Sequence, residues 1–325
     1  MNTATRLGAF ALGLAVVFGA AYGVGQVAAP GTAAEASHDA ATGGHQTEHG
    51  PAAESSPAQL PGGLLVSDRG YTLTTAEAPA RQFAFRITGA DGRAVTGFDV
   101  AHNQRMHLIV ARRDLSGFRH VHPRMDPDGT WRVASPLGGP GSWRAFADFT
   151  PTGGEPLTLG VNVDVPGAVT VQPLPAPSST ATVDGYTVTL AGDLVPGTAS
   201  KLTLTVRRGD SPVTDLQPYL AAYGHLVALR KGDLAYLHVH PDGVPGDGRT
   251  AAGPQVVFHA EVPSAGAYRL YLDFQHGGTV RTAEFTAVAG GDPTTGQPDR
   301  TTPAPPNTPA PSSSAGHGTP GHGHN

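Results

Sequence analysis

The sequence predicts an all-β protein with two tandem Ig-like antiparallel β-sandwich domains, and three observations lead to this fold class. The chain has 325 residues, enough for two domains of ordinary size plus tails, with 44 glycines, 30 prolines and only 14% charged residues. Runs of Val, Thr and Leu alternate with Asp-Gly turn signals at 91–92, 128–129, 184–185 and 242–243, a pattern typical of a sandwich. The two halves also repeat each other, which indicates one fold used twice.

The N-terminal segment predicts export. Leu7–Ala29 contains no charged residue and consists mostly of Ala, Val, Leu, Gly and Phe. A cleaved signal peptide needs about 7–15 apolar residues and a bilayer span about 20, so residues 1–29 predict a hydrophobic helix that acts as a signal anchor. Cleavage as a signal peptide, near Ala28 or Ala33, is the alternative. The first interpretation places the domains outside the cytoplasm on the cell membrane, and the second makes the protein secreted.

Composition divides the rest of the chain. Residues 30–63 are rich in Ala, Gly, Ser, Glu and His without periodicity, which predicts a disordered tether. The first β-sandwich domain is predicted at 64–172 and the second at 182–289, separated by a Pro- and Ser-rich linker at 173–181. The Pro/Thr/His-rich residues 290–325 predict a disordered tail.

A three-histidine motif occurs in both halves. MHLIVARRDLSGFRHVHP (106–123) aligns without a gap to GHLVALRKGDLAYLHVHP (224–241). The alignment pairs His107 with His225, His120 with His238, and His122 with His240. Further along, WRAFADF and YRLYLDF pair Asp148 with Asp273. Matches at this many positions indicate an internal duplication.

Strand geometry predicts that the histidines of each copy converge. If HLIVAR and FRHVHP form a β-hairpin, His120 and His122 share a face because side chains two residues apart point the same way. With an even number of turn residues, one of them opposes His107, with Cβ atoms about 4.5–5.5 Å apart. Imidazole nitrogens can then meet on one ion at about 2.0–2.1 Å. The sequence therefore predicts two equivalent metal sites.

The candidate ligands of the two sites are His107, His120, His122, Asp148, His225, His238, His240 and Asp273. Each aspartate is either a fourth ligand or an acceptor that orients a histidine. The alternative is that the histidines are packed and hydrogen-bonded without an ion. Asp114 and Asp233, beside the hairpin turns, are predicted to accept a local backbone N–H instead.

Other histidines are expected to do less. His102, His259 and His276 occur in one copy only, which favours surface or structural roles, although His259 or His276 could join the second site. The tails contain His38, His45, His49, His317, His322 and His324. In such tails a solvated, low-complexity segment and weak ion capture are both open interpretations.

Composition restricts the choice of metal ion and the classes of binding partner. The chain has no cysteine and few methionines, so imidazole and carboxylate are the strong ligands available, and these suit Cu(II) or Zn(II). The formal charge of -5 and the scattered Lys and Arg argue against nucleic acid. The expected partners are a divalent metal ion, a membrane metal transporter, and the membrane through the N-terminal segment only.

With HLIV...DLSGFRHVHP, HLVAL...DLAYLHVHP and AYRLYLDF, the region from Leu64 to Val288 resembles a bacterial, largely actinobacterial family of membrane-anchored or secreted proteins labelled heavy-metal-associated. It is more loosely similar to Ig-like β-sandwich proteins that handle copper outside the cytoplasm. The resemblance implies metal handling without chemistry. The chain departs from those copper carriers, which commonly use a ligand at the mature N-terminus, because its domains follow a long tether.

Three functions compete. The first is an extracytoplasmic metal-binding protein for buffering, sensing or delivery, which the repeated histidines favour. The second is a structural or adhesion module, since Ig-like sandwiches often bind partners without ions. The third is a copper or zinc enzyme, because HVH also occurs in Cu/Zn superoxide dismutases. The chain has no GxSxG, P-loop or HExxH motif, and we therefore expect no enzyme.

Overall fold

The computed structural model describes residues 60–290, which form strands β1 to β18 and contain no helix. The signal anchor, nearly all of the tether and the C-terminal tail predicted from the sequence lie outside the described residues. Within residues 60–290, no helix is long and apolar enough to span a bilayer.

The first sandwich consists of two antiparallel sheets. Its strands are β1 (Ser67–Asp68), β2 (Tyr71–Ala76), β3 (Gln82–Thr88), β4 (His107–Arg112), β5 (Arg119–Val121), β6 (Arg124–Met125), β7 (Thr130–Ala134), β8 (Gly141–Phe149) and β9 (Leu157–Val165). One sheet has the strand order β1-β2-β3-β7-β6 and the other has the order β5-β4-β8-β9.

The second sandwich repeats this plan. Its strands are β10 (Thr180–Val183), β11 (Tyr186–Ala191), β12 (Ala199–Arg208), β13 (Ser211–Pro212), β14 (His225–Arg230), β15 (Val239–Pro241), β16 (Gln255–Glu261), β17 (Gly266–His276) and β18 (Thr279–Ala289). One sheet has the order β10-β11-β12-β16-β15, with β13 also paired to β12, and the other has the order β14-β17-β18.

Each sandwich closes over its own apolar core because side chains alternate along the strands. In β3, Phe83, Phe85 and Ile87 are buried in the first core while Arg86 is exposed. The second core is built in the same way, for example from Leu202, Leu204 and Val206 of β12. Two tandem Ig-like antiparallel sandwiches are the fold class that the sequence predicts, and the structure confirms it.

A third apolar cluster joins the two sandwiches. Leu108 and Val110 of β4 point into the first core, whereas Ile109 and Ala111 point to the opposite face. The cluster on that face contains Ile109, Ala111, Leu115, Phe118, Phe146, Val227, Leu229, Leu234, Tyr236 and Tyr271. The β5-β4-β8-β9 sheet therefore packs face to face on the β14-β17-β18 sheet, and both sandwiches belong to one compact unit.

Contacts across this interface are reciprocal, as at a two-fold axis. Phe118 stacks on Tyr271 with ring centroids 4.0 Å apart, and their repeat counterparts Tyr236 and Phe146 lie 5.7 Å apart. The hydroxyl of Tyr271 also donates a hydrogen bond to the carbonyl of Leu115 at 2.5 Å. The same two positions are in contact in both directions across the interface. The two copies are therefore related like the subunits of an isologous dimer.

The two copies differ in the length of the hairpin that starts with the first histidine of the motif, at β4 in copy 1 and at β14 in copy 2. In copy 1, β5 stays paired with β4 as far as the pair Leu108 and Val121. In copy 2, pairing with β14 ends at the hydrogen bond from Leu237 N to Ala228 O, and the chain then joins β16 as β15. Leu237 is buried in the second core, whereas Arg119, its counterpart, is exposed. Burial of this apolar side chain draws copy 2 to the other sheet early.

Candidate metal centre

Four histidine rings meet between the two sandwiches. From copy 1, His107, His120 and His122 lie on one face of the β4-β5 hairpin, with ring centroids 4.8–5.3 Å apart. From copy 2, His225 stacks on His107 at 5.7 Å and lies 4.6 Å from His120. Ligand nitrogens of His107, His120 and His225 all lie within 4.8 Å of one another. The interdomain cluster, defined as these four histidines, draws side chains from both repeats.

A chain of hydrogen bonds orients two of the rings. His107 Nε2 lies 3.1 Å from the carbonyl of Ala101, and His107 Nδ1 lies 3.1 Å from His120 Nε2. On its other side, His120 Nδ1 lies 3.1 Å from Asp273 Oδ2, which belongs to the other sandwich. The second carboxyl oxygen, Oδ1, accepts a hydrogen bond from the hydroxyl of Thr282 at 2.6 Å. Both rings are therefore fixed at both nitrogens.

The donors and acceptors of this chain can be assigned from chemistry. A carbonyl only accepts, so His107 donates from Nε2, and its Nδ1 is then the acceptor for His120 Nε2–H. His120 and Asp273 must then share one more proton, carried either by the carboxyl group or by His120 Nδ1. The side chains of His120 and Asp273 are only 1% and 4% exposed, so water does not compete for these bonds.

Burial favours the uncharged forms of these groups. Burial is the largest cause that lowers the pKa of His107, and it lowers the pKa values of His120 and His225 well below the ordinary range. The neighbouring histidines lower the pKa values of His120 and His225 further because like charges would repel. Burial also raises the pKa of Asp273 to about 7, against the hydrogen bond from Thr282 that lowers it. At neutral pH the cluster is thus a set of neutral imidazoles, the form that binds metals.

Two nitrogens of the cluster are buried without a hydrogen bond. His225 Nδ1 and His122 Nε2 have no partner among the described residues. A buried polar atom without a partner costs about 1–3 kcal/mol, so such atoms are rare unless they serve a purpose. The rings that carry them lie 4.6–5.7 Å from the rings of His107 and His120.

His102 covers the cluster from a strained turn. His102 and Asn103 both have positive φ, at 49° and 63°, in a tight turn closed by reciprocal hydrogen bonds between Ala101 and Gln104. The exposed His102 ring lies 6.1 Å from His107 and 5.9 Å from His225. The equivalent turn of copy 2 has the same left-handed backbone at Leu220 and Ala221, with φ of 55° and 62°, so the turn belongs to the fold and only the His102 side chain is particular to copy 1.

The structure separates the histidines of copy 2, in contrast to the two equivalent sites expected from the repeat. His225 joins the interdomain cluster, but His238 and His240 are exposed on the β15-β16 side of the second sandwich. The cause is the early crossover after Leu237, which removes the counterpart of β5. Copy 1 and His225 therefore form one composite cluster.

The two aspartates take unequal positions. Each directly opposes the first histidine of its copy, Asp148 facing His107 and Asp273 facing His225. Asp273 reaches across the interface to His120, whereas Asp148 Oδ1 accepts a hydrogen bond from Thr158 at 3.1 Å. Burial raises the pKa of Asp148, while the charges of His238 and His102 act against that rise. Asp273 is placed to orient a ligand rather than to be one.

The structure also shows the contacts of the turn aspartates and of the histidines that occur in copy 2 only. Asp114 accepts hydrogen bonds from the backbone and hydroxyl of Ser116, and Asp233 accepts one from the backbone of Ala235, which confirms turn chemistry. His276 bonds to Tyr186 and Asp215, a structural role. His259 is exposed and opposes His240.

Sequence reasoning missed the composite nature of the cluster and the position of His102. One signal was available: HLIVA and HLVAL are apolar on both faces, and a strand buried on both faces needs a second covering layer. That layer is the other copy. His102 has no counterpart in copy 2, so the repeat could not mark it.

The buried histidines predict a pH-dependent stability. The pKa of His122 falls to about 4, mainly through burial and then through repulsion by His107. The unfolded chain therefore takes up this proton first as the pH falls below about 6.5, and the stabilisation present above 6.5 is lost towards pH 4. We expect His122→Gln to reduce the loss of unfolding free energy between pH 7.5 and 5.5 by about 1 kcal/mol, after allowance for screening at a half-buried ring.

Urea denaturation in chelator at the two pH values measures this difference. His240→Gln, the copy 2 counterpart outside the cluster, is the control for loss of one histidine. Equal pH dependence in wild type and His122→Gln would contradict the prediction.

Two Ig-like sandwiches that enclose a histidine cluster between them define the class of this protein. A family model described as a domain of unknown function (DUF8832) matches residues 67–167 and 181–291, one match in each sandwich. The chain belongs to this family and carries two copies of its domain. No curated protein matches the sequence.

Several solved structures match part of the chain at low TM-scores. A Corynebacterium diphtheriae protein described as membrane anchored is 11% identical, with a TM-score of 0.20, and the match covers 70% of this chain and 60% of that one. Invasin, a bacterial integrin-binding protein, is 16% identical over 66% of this chain and 39% of its own, with a TM-score of 0.18. Titin A168169 is 8% identical over 67% of this chain and 91% of its own, with a TM-score of 0.18. The chain thus spans less than two thirds of the length of the first two proteins.

Proposed function

We propose that this chain is an extracytoplasmic metal-binding protein that holds one Cu(II) or Zn(II) ion in the interdomain cluster. His107 Nδ1, His120 Nε2 and one nitrogen of His225 are the proposed ligands, with His122 Nε2 beside them. The ion would be buffered, sensed or delivered rather than used in catalysis. Since His107 is 3% exposed and the side chain of His120 1% exposed, a bound ion would have little open face for a substrate.

The spacing of the facing nitrogens supports an ion. Two nitrogens bound at 2.0–2.1 Å lie about 2.9 Å apart at a right angle and about 3.3–3.4 Å apart at the tetrahedral angle. The 3.1 Å between His107 Nδ1 and His120 Nε2 falls between these values. The far nitrogens meet a backbone carbonyl and a carboxylate, the partners that metal-binding histidines usually have.

The observation that carries the proposal is the pair of buried nitrogens without partners. Packing alone accounts for the hydrogen bonds that link Ala101, His107, His120 and Asp273, because each of these groups has a partner without an ion. It does not account for His225 Nδ1 and His122 Nε2, which are buried and unpaired within the described residues. An ion among the four rings would give such nitrogens a partner.

Binding would release one proton. His120 and Asp273 together hold two protons when His120 Nε2–H faces His107. With an ion on Nε2, only the proton between His120 Nδ1 and Asp273 remains. Metal affinity is therefore expected to rise with pH, as is usual for sites whose ligands must lose protons.

The ion and the location follow from composition. Imidazole ligands without thiolate suit Cu(II) and Zn(II). The uncharged apolar stretch Leu7–Ala29 supports a location outside the cytoplasm, by membrane anchor or by secretion. A membrane metal transporter is the partner that we propose for delivery.

Thermal unfolding of the full chain in Zn(II) tests the proposal. At free Zn(II) ten times the Kd, the native state should gain about 1.4 kcal/mol, seen as a rise in Tm. We expect His120→Ala to remove this gain because it deletes a central ligand. His276→Ala, a histidine outside the cluster, should keep it. The tail histidines are present in all three chains, so their contribution cancels.

A gain in Tm that is the same in wild type and His120→Ala would refute the interdomain site. A Tm that never responds to Zn(II) or Cu(II), combined with destabilisation by His120→Ala in chelator, would favour a purely structural cluster instead.

A further inference from the structure

The early crossover of copy 2 creates a second group of histidines. His238 and His240 flank Val239, which packs against the second core, so the two histidines share the outer face of the sheet. Their ring centroids are 4.0 Å apart and their planes perpendicular. Both residues are exposed, in contrast to the interdomain cluster.

The neighbouring strand adds a third histidine to this face. The register of β15 and β16 places His240 directly opposite His259. Directly opposed residues have Cβ atoms about 4.5–5.5 Å apart. The same register sets Glu261 against His238, and Glu261 N donates a hydrogen bond to His238 O at 3.0 Å. Three imidazoles and a carboxylate therefore occupy two neighbouring positions on the outer face of one strand pair, on either side of the core-facing pair of Val239 and Ala260.

A further carboxylate borders these rungs. Asp242 Oδ2 lies 4.0 Å from His259 Nε2, and the two side chains are 58% and 46% exposed. Lys201 opposes His259 from β12 on the other side, and its ammonium group would repel a cation. Nitrogen and oxygen donors thus lie on one side of His259 and a positive charge on the other.

We propose that His238, His240 and His259, the outer histidine patch, form a second and solvent-exposed site for a divalent metal ion such as Zn(II) or Cu(II). Exposed rings can rotate onto an ion, since no packing fixes them, and ordering them on binding makes this site weaker than a preorganised one. Glu261 and Asp242 supply negative charge. The patch extends the proposed function from one ion to two per chain, with the exposed site available for exchange.

Chemical footprinting of the full chain with Zn(II) tests the patch residue by residue. Diethyl pyrocarbonate modifies free imidazole, and peptide mass spectrometry resolves each histidine from those of the tails. We expect free Zn(II) at ten times the Kd of the patch to slow modification of His238, His240 and His259 about tenfold. His259→Ala should remove most of the protection of His238 and His240. Gln255→Ala, on the same strand and face, should leave it intact.

The controls separate this inference from the proposed function. In His120→Ala, protection of the patch should persist, whereas the part of the rise in Tm that comes from the interdomain cluster is lost. Patch protection combined with a rise in Tm that is the same in wild type and His120→Ala would support the patch alone, because an ion bound at the patch also stabilises the native state. Absence of protection in the wild type, or protection of His238 and His240 that is unchanged in His259→Ala, would overturn the inference. Lys201→Gln should strengthen Zn(II) binding at the patch because it removes a repelling ammonium group. Protection of the three histidines should then occur at a lower Zn(II) concentration.

Discussion

Asp273→Asn is expected to lower the affinity of the interdomain cluster for Zn(II) by about 10- to 100-fold, the usual loss when the partner of a metal-binding histidine is changed. The free energy of unfolding in chelator should change by about 1 kcal/mol or less. The variant thus separates the two interpretations of the cluster, because a purely structural role predicts no effect on metal binding.

The expected loss of Zn(II) affinity with little change in stability follows from the hydrogen bonds that link Ala101, His107, His120 and Asp273. An asparagine amide can donate to His120 Nδ1 while its carbonyl still accepts from Thr282. His120 Nε2–H then donates to His107 Nδ1, and His107 Nε2–H donates to Ala101, so every group keeps a partner. The same arrangement holds the proton on His120 Nε2, the nitrogen that we propose as a metal ligand. Burial already raises the pKa of Asp273 to about 7, so a neutral side chain is tolerated there.

Asp148→Asn is the matched control. Asp148 opposes His107 as Asp273 opposes His225, and it accepts from Thr158 as Asp273 accepts from Thr282. It makes no hydrogen bond to the cluster among the described residues, so Zn(II) affinity should stay near that of the wild type. Competition titration with a chromophoric chelator measures both affinities. Equal affinities of the two variants would show that Asp273 does not orient a metal ligand.

The fold was predictable from local pattern, whereas the composition of the cluster was not. Asp-Gly turns and short β-forming runs depend on neighbours in sequence, and they indicate Ig-like sandwiches. Side chains alternate between the two faces along a strand, and this local rule also places His107, His120 and His122 on one face of β4 and β5. Joining His225 to them depends on which faces of two separate sheets pack together, and sequence spacing does not encode that choice.

The asymmetry between the copies has a small local cause. Arg119 and Leu237 occupy equivalent positions, and one is exposed while the other is buried. The second hairpin ends early at this position, and His238 and His240 follow on the outer face of the other sheet. A gapless alignment treats the two positions as equivalent, so it predicted a second cluster equivalent to the first, whereas the structure places His238 and His240 apart from His225.

Phe118→Ala is expected to destabilise the chain by about 3–5 kcal/mol and to weaken the metal site in the molecules that remain folded. Phe118 is 4% exposed and stacks on Tyr271, so its removal leaves a cavity at the centre of the interface. The cluster draws His107 and His120 from one sandwich and His225 from the other, so loosening the interface separates the ligands. Preorganised spacing is then lost even though every ligand is still present.

Phe85→Ala supplies the comparison that makes this interpretation specific. Phe85 is 0% exposed in the core of the first sandwich, so its removal should cost a similar 3–5 kcal/mol. It lies outside the interface cluster, and the folded molecules should therefore keep wild-type Zn(II) affinity. Urea denaturation gives the stability of each variant, and titration below the onset of unfolding gives its affinity. If both variants lose affinity equally, global stability controls the site; if only Phe118→Ala does, the ion reports on the packing of the two sandwiches against each other.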